Sequence, residues 1–227
     1  MPHDLAPPPT ADHGTGAAPD HPALVRLSGL IAARICHDLV GPVGAIANGV
    51  DLMAEVAGDG EAEEIELVRQ STARAAALLR TLRVAFGDAS PEGATVARAQ
   101  VVRELSEVIS SRRVSLNVTG DDGGPLDPAV ARLSSLMVLS GRLLLGLGGQ
   151  IELVFSQESS LPLRVTAEGS GASLPPRADA WLQGSLQELP ASREVELALL
   201  PRAAAAARAR LTWSAEDARI TLCAFPV

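Results

Sequence analysis

The sequence predicts an α+β chain: an N-terminal helical hairpin followed by a C-terminal α/β sandwich. Three observations carry this. Apolar residues recur at three-to-four spacing over residues 22–57 and again over 61–86, with Gly58-Asp59-Gly60 as a turn between them. From Thr95 onward the period changes, and short runs that alternate with period two are interleaved with helical patterns. The chain has 227 residues, 47% of them hydrophobic but only 2% aromatic, so it can bury a real core, and that core must be aliphatic.

In order, residues 1–21 are rich in Pro, Ala, Asp and His and lack the basic and apolar regions of a signal peptide; they read as a disordered tail. The first helix starts near Pro22, which suits a first helical turn, and runs to about residue 57. Pro42 lies well inside it and is expected to kink rather than end it, because the apolar stripe continues. At about 100° per residue, Leu24, Ile31, Ile35, Leu39, Pro42, Ile46, Val50 and Met53 share one sector. His37 lies roughly opposite, among the near-bare positions Ala33, Gly41 and Gly44, with Asn48, Asp51 and Glu55 further along. The second helix, about 61–86, spaces Ile65, Val68, Thr72, Ala75, Leu79, Leu82 and Phe86 as a heptad. Acidic residues crowd its first turn and arginines its second half, as the helix dipole favours. Gly87-Asp88-Ala89-Ser90-Pro91 closes it. Two antiparallel helices cannot bury stripes this wide alone, so a homodimer is expected, with two hairpins forming an intermolecular four-helix bundle.

Beyond the hairpin the reading is a helix over 96–110, a strand over 113–119, and a loop over 120–128 whose Asp127-Pro128 marks the next helix start. A strongly apolar helix covers 129–146, and Gly148-Gly149 turns into strands 150–156 and 163–167, read as a hairpin. Residues 169–177 form a loop, 193–210 a helix kinked or broken at Pro201, and 211–214 with 218–225 a last hairpin. Together they make a mixed sheet with helices on one side. The domain reading is a tail over 1–21, a hairpin domain over 22–90 and a sandwich domain over 91–227.

Composition excludes several roles. The net charge of −8 argues against nucleic-acid binding, which needs phosphate-neutralising patches. The chain contains no lysine, so all 19 basic residues are arginine. Two distant cysteines, Cys36 and Cys223, suit a reducing compartment. No window holds the eighteen or so uninterrupted apolar residues of a membrane span. A cytoplasmic chain with no membrane partner is expected.

His37-Asp38 is the leading chemical candidate. A neutral imidazole is a good nucleophile toward a phosphoryl group, and an adjacent carboxylate can orient the ring. A surface histidine that merely neighbours a helix carboxylate is the competing reading, and the clearing of small residues weighs equally against it. A metal phosphohydrolase of His-Asp type is rejected, because His3, His13 and His21 lie in the tail or at its end. Cys36 with His37 also fails as a metal pair, since helix neighbours diverge by about 100°. Gly169-Ser170-Gly171 reads as a turn, because a lone G-x-G without a lysine or a following helix start is weak evidence of a phosphate loop.

The run His37-Asp38-Leu39-x-x-Pro42-x-x-Ala45-Ile46 resembles the H-box of sensor histidine kinases. The fuller pattern runs from Ala33 through Ile46 to Asn48-Gly49, with Arg83-x-Ala85-Phe86-Gly87 ending the second helix. It is similar to the alphaproteobacterial histidine phosphotransferases of the ChpT type, and the likeness covers nearly all of the chain from residue 22. It implies a dimerisation and phosphotransfer hairpin joined to a degenerate version of the histidine-kinase ATPase fold. Phosphoryl groups would pass through His37 from the receiver domain of a hybrid histidine kinase to receiver domains of response regulators of the cell-cycle type. In that scheme His37 is the phosphoacceptor and Asp38 tunes its ring. Arg34 screens phosphoryl charge, Gly41 and Gly44 let a receiver helix approach, and Leu30 gives an apolar docking contact. The departures concern the nucleotide. The helix matching the kinase's Asn-bearing helix has Ser134, Ser135 and Ser140 and no Asn, and the Asp-x-Gly-x-Gly motif appears as Ala167-Glu168-Gly169-Ser170-Gly171. No ATP, no autokinase activity and no cofactor of its own are therefore expected, with magnesium supplied by the receiver. Gly41 stands where many such kinases carry a Thr or Asn used in phosphatase chemistry, so phosphatase activity is not expected either. An active sensor-type kinase and a non-catalytic dimeric adaptor for response regulators remain the alternatives.

Overall fold

The computed structural model describes residues 21–55, 61–87, 94–120, 123–156 and 163–227. The tail, the Gly58-Asp59-Gly60 turn, the close of the second helix at residues 88–91 and the link between strands 150–156 and 163–167 lie outside the described residues.

Helices α1 (His21–Glu55) and α2 (Glu61–Phe86) form the hairpin. α1 continues through Pro42, which has no N–H to give the Asp38 carbonyl one turn before it. The two helices approach closely at Gly49, where a Cβ would stand 2.6 Å from Val68 Cγ2. α1 buries Leu27 and half-buries Ile31, Ile35 and Leu39 against the core. Val50, expected in the buried sector, is exposed instead, as are Val40 and Val43. The α2 heptad also splits. Ala75 and Leu82 are buried, whereas Ile65, Thr72 and Leu79 face outward. The physical reason is that α2 turns Leu78, Leu82 and Ala85 toward the sandwich, which leaves the period-seven line 65, 72, 79 uncovered within this chain.

The rest is a two-layer sandwich. Its elements are α3 (Arg98–Ile109), β1 (Val114–Thr119), α4 (Pro128–Leu144), β2 (Gly149–Phe155), β3 (Leu163–Glu168), α5 (Ala178–Leu182), α6 (Val195–Ala206), β4 (Ala209–Glu216) and β5 (Arg219–Pro226). The strand order is β1-β2-β3-β5-β4, with β1 parallel to β2 and the other pairs antiparallel. The parallel pair exists because α4 crosses over between its strands. α4 is capped by Asp127, whose side chain accepts from the Ala129 N–H at 2.8 Å, with Pro128 in the first turn. α6 keeps Pro201 inside it and ends earlier than the sequence suggested; Arg208, at φ 52°, turns the chain into β4. α5 was not anticipated. Both tryptophans hold it: Trp181 donates to the Glu188 carbonyl at 2.8 Å, and Trp213 donates to Asp179 at 2.7 Å.

One face of the sheet is buried, through Ile151, Leu153, Phe155, Leu163, Val165, Ala167, Ile220, Leu222 and Ala224. That alternation is what a sheet covered on one side requires. The hairpin is continuous with this core through Leu27, Leu78, Leu82 and Ala85. Two ion pairs also tie it there. Arg80 donates to the buried Glu104 at 2.8 Å, and Arg34 donates to Glu196 at 2.7 Å.

α1 is apolar enough over Val25–Met53, with mean hydropathy 1.4, to cross a membrane by length and composition. The stretch nevertheless carries Arg26, Arg34, His37, Asp38 and Asp51. Its central arginine is bonded into the sandwich, so a bilayer would have to replace that ion pair.

Candidate functional site

The site is built on the middle of α1. The His37 side chain is 81% exposed, so a macromolecular partner can reach it. Its Nδ1 lies 3.1 Å from Asp38 Oδ1. An ionised carboxylate only accepts, so Nδ1 carries the hydrogen, and the Nε2 lone pair of the neutral ring is left free. The same Asp38 oxygen accepts from Arg34 Nη1, one helical turn earlier. Arg34 Nε in turn donates to Glu196 Oε1 at 2.7 Å, so one guanidinium holds two carboxylates.

Glu196 sits in the first turn of α6 and is fully buried. Burial pushes its carboxyl pKa up, against the opposing pull of the Arg34 charge. Its second oxygen, Oε2, has no hydrogen-bond partner among the described residues.

The other sequence-predicted residues divide. Gly41 and Gly44 open onto empty space: beyond the helix's own adjacent backbone, a Cβ at either would meet no atom of the described residues within 4 Å. Gly41 lines a cleft of about 910 Å³ between hairpin and sandwich, together with Asp38, Arg74, Arg142 and Arg193. Arg34 does not stand free beside the ring: its guanidinium is paired with both Asp38 and Glu196. Leu30 is half-buried and packs on the core, beside a smaller groove lined by Leu189 and Pro190, so it is only partly available to a partner. Sequence reasoning did not find Glu196. Its only signature was one acid inside the apolar run Val195-Glu196-Leu197-Ala198-Leu199-Leu200.

The positions that the resemblance sets against a kinase nucleotide site are built as core. The Ser134 and Ser135 hydroxyls donate to the Ala131 carbonyl at 2.9 and 2.8 Å, and Ser134, Ser135 and Ser140 are buried in α4. Ala167 is buried in β3 between Ile151 and Ile220. Gly169 packs so tightly on Gly148 that a Cβ would lie 2.1 Å from its carbonyl oxygen, and its carbonyl accepts from the Ala172 N–H at 2.8 Å. The Gly169-Ser170-Gly171 segment is therefore a turn against backbone. Among the described residues no three His, Cys, Asp or Glu side chains come together to hold a metal ion.

This geometry agrees with the comparisons. A protein phosphotransferase ChpT from Brucella abortus (strain 2308) is 28% identical over 166 residues, covering 72% of this chain and 78% of that protein. A solved structure of a bacterial phosphotransferase superposes with TM-score 0.69 at 22% identity, covering 88% of this chain and 96% of that one, and so shares its fold. The family described as histidine phosphotransferase C-terminal domain matches residues 98–219, more than half of the chain. The match takes in the sandwich that carries Glu196, so the chain belongs to that family: it is a ChpT-type histidine phosphotransferase of two-component phosphorelays.

Proposed function

We propose that His37 is the phosphoacceptor of this phosphorelay protein. The observation that carries the reading is the Asp38 carboxylate on Nδ1, which leaves Nε2 as a free nucleophile pointing into solvent. Nε2 attacks the phosphorus of an aspartyl phosphate on one receiver domain. An Nε2–P bond forms, the acyl P–O bond breaks, and the receiver recovers its carboxylate. The ring keeps its Nδ1 proton, and Asp38 stabilises the cationic phosphoimidazole. A carboxylate oxygen of a second receiver then attacks the same phosphorus and releases neutral imidazole. Both phosphorylated forms are reactive, so direction follows mass action.

The donor is the receiver of a hybrid histidine kinase, and the acceptors are response-regulator receivers. Magnesium comes with those receivers, and this chain holds no cofactor. The core placement of Ser134, Ser135, Ser140 and Ala167 supports a protein that does not use ATP. The open lines Val40, Val43, Val50 and Ile65, Thr72, Leu79 support a homodimer in which two hairpins make a four-helix bundle. Residues 22–90 are then the phosphotransfer unit and 91–227 the docking unit, working in the cytoplasm on protein partners, with neither nucleic acid nor membrane.

The test is transfer from a labelled phosphorylated receiver. Wild type takes up acid-labile, alkali-stable label and His37→Ala takes up none. Label retained by His37→Ala overturns the assignment.

A further inference from the structure

We infer that Glu196 of α6 is a positioning residue for the relay histidine: through Arg34 and Asp38 it sets the tautomer and orientation of His37, so the histidine is fully reactive only while the sandwich is seated on the hairpin. The inference rests on His37 being the phosphoacceptor.

The argument starts from cost. A fully buried carboxylate compensated only by one guanidinium and its own backbone N–H, with its second oxygen unpartnered, is a poor way to stabilise a fold. A leucine or methionine in α6 would pack among Val195, Leu197 and Leu200 without that penalty. The hairpin is already attached by apolar packing at Leu27, Leu78 and Leu82 and by the Arg80–Glu104 pair, so Glu196 is not needed as an anchor. It does fix Arg34. Arginine has several rotatable bonds, and a pair with Asp38 alone on a helix surface is weak and mobile. With Nε tied to Glu196 at 2.7 Å, the planar guanidinium is restricted to orientations that keep that bond, and its Nη1 meets Asp38 Oδ1.

That contact holds the carboxylate where it accepts from Nδ1 of His37, at 3.1 Å. Without it Asp38 is free to change rotamer, and the neutral ring can protonate at Nε2, which blocks the nucleophile. The chain of contacts runs from the core of one part, across the junction, to an exposed atom on the other. Glu196 touches no reacting group and acts only through Arg34 and Asp38.

The experiment uses the full chain and two readouts. The first is the share of His37 carrying its proton on Nδ1, measured by ¹⁵N NMR at a pH where the ring is neutral. The second is the single-turnover rate of label uptake from a phosphorylated receiver, with the folded fraction of every variant checked by circular dichroism. Glu196→Ala and Arg34→Met are expected to shift His37 toward the Nε2-protonated tautomer and to slow transfer about tenfold, the scale of one oriented hydrogen bond. Glu196→Gln keeps an acceptor for Arg34 and is expected to recover most of the rate. The deciding arm is an Asp38→Asn background, in which Glu196→Ala is expected to cost nothing further. An equal loss in both backgrounds, or an unmoved tautomer ratio, overturns the inference. Uptake of label by His37→Ala would instead defeat the phosphoacceptor assignment, so the two failures are distinguishable.

Discussion

Replacing Gly41 and Gly44 by alanine is expected to make the isolated chain more stable and the relay slower. Mid-helix glycine costs about 1 kcal/mol relative to alanine, because it orders more backbone and packs nothing. A cost of that kind is normally explained by a neighbour that a Cβ would strike, as Val68 explains Gly49. At Gly41 and Gly44 a Cβ would meet no atom of the described residues within 4 Å beyond the helix's own adjacent backbone, so nothing packed against α1 there requires glycine. The double alanine variant should therefore gain about 1–2 kcal/mol, which in a chain of this length raises the melting temperature by a few degrees, about 2–8 °C.

The reason for the glycines then lies in a partner. By helical geometry Gly41 stands about 40° and Gly44 about 20° from the azimuth of His37, one and two turns along. A side chain at either position rises beside the nucleophile, into space a receiver must enter to bring its aspartyl phosphate within bonding distance of Nε2. Alanine intrudes little. Leucine at position 44 fills the clearing and is expected to slow transfer by at least about tenfold, the loss that about 1.4 kcal/mol of impaired docking gives. Thermal unfolding and single-turnover transfer on the same preparations decide the matter, with sedimentation showing that the oligomeric state is unchanged. A destabilised alanine variant, or a Gly44→Leu protein transferring at the wild-type rate, would refute the reasoning.

Three further outcomes follow from the same structure. Val43→Asp combined with Leu79→Asp places charges on both open apolar lines and should convert a dimer to monomers by sedimentation, while the sandwich keeps its circular dichroism. Leu82→Ala removes a side chain only 2% exposed at the junction of hairpin and sandwich and should cost about 2–5 kcal/mol in urea unfolding. Because burial raises the Glu196 carboxyl above its ordinary value of 4.5, the folded chain keeps a proton there over a range where the unfolded chain has released it. Its contribution to stability is complete below that ordinary value and is lost as pH rises through the folded one, so Glu196→Gln should gain stability relative to wild type across that window. Paired urea titrations at several pH values show the difference, and a flat difference curve would mean that desolvation does not dominate at this carboxyl.

Much of this molecule is legible in the sequence because periodicity reports burial directly. The hairpin, the sheet's alternating strands and the exposure of His37 all follow from spacings of 3.6 and 2. Three things are not legible, each for a physical reason. β1 pairs parallel to β2 across α4, and alternation within a strand says nothing about which strand lies beside it. α5 is a five-residue helix held by two tryptophan N–H donors, too short to show a period. Glu196 meets Arg34 across 162 positions of chain, and no local pattern encodes a contact made only when two elements are packed. The split of the α2 heptad belongs with these. A seven-residue repeat fixes which residues are collinear, but the sandwich decides which side of that line it covers.

α1 resolves these demands by dividing its circumference into three sectors. Taking His37 as zero and advancing about 100° per residue, Leu27, Ile31, Ile35, Leu39 and Gly49 fall near 80–200°, the side packed on α2 and the sandwich. Val40, Val43 and Val50 fall near 220–300°, an apolar line that this chain leaves open. His37, Gly44 and Gly41 occupy the remaining sector. The buried side is thus centred about 140° from the histidine rather than diametrically opposite it, rotated about 40° toward Arg34 and Asp38. That rotation is what lets two polar residues sit at the edge of the junction, where Glu196 can reach them, while the ring one residue away stays in water. A helix with its buried face directly opposite His37 would leave Arg34 and Asp38 in solvent, and their ion pair would be worth about 0.3–0.5 kcal/mol, too little to hold an imidazole in one tautomer. The offset of the buried face is therefore the feature of α1 that turns an exposed histidine into an oriented one.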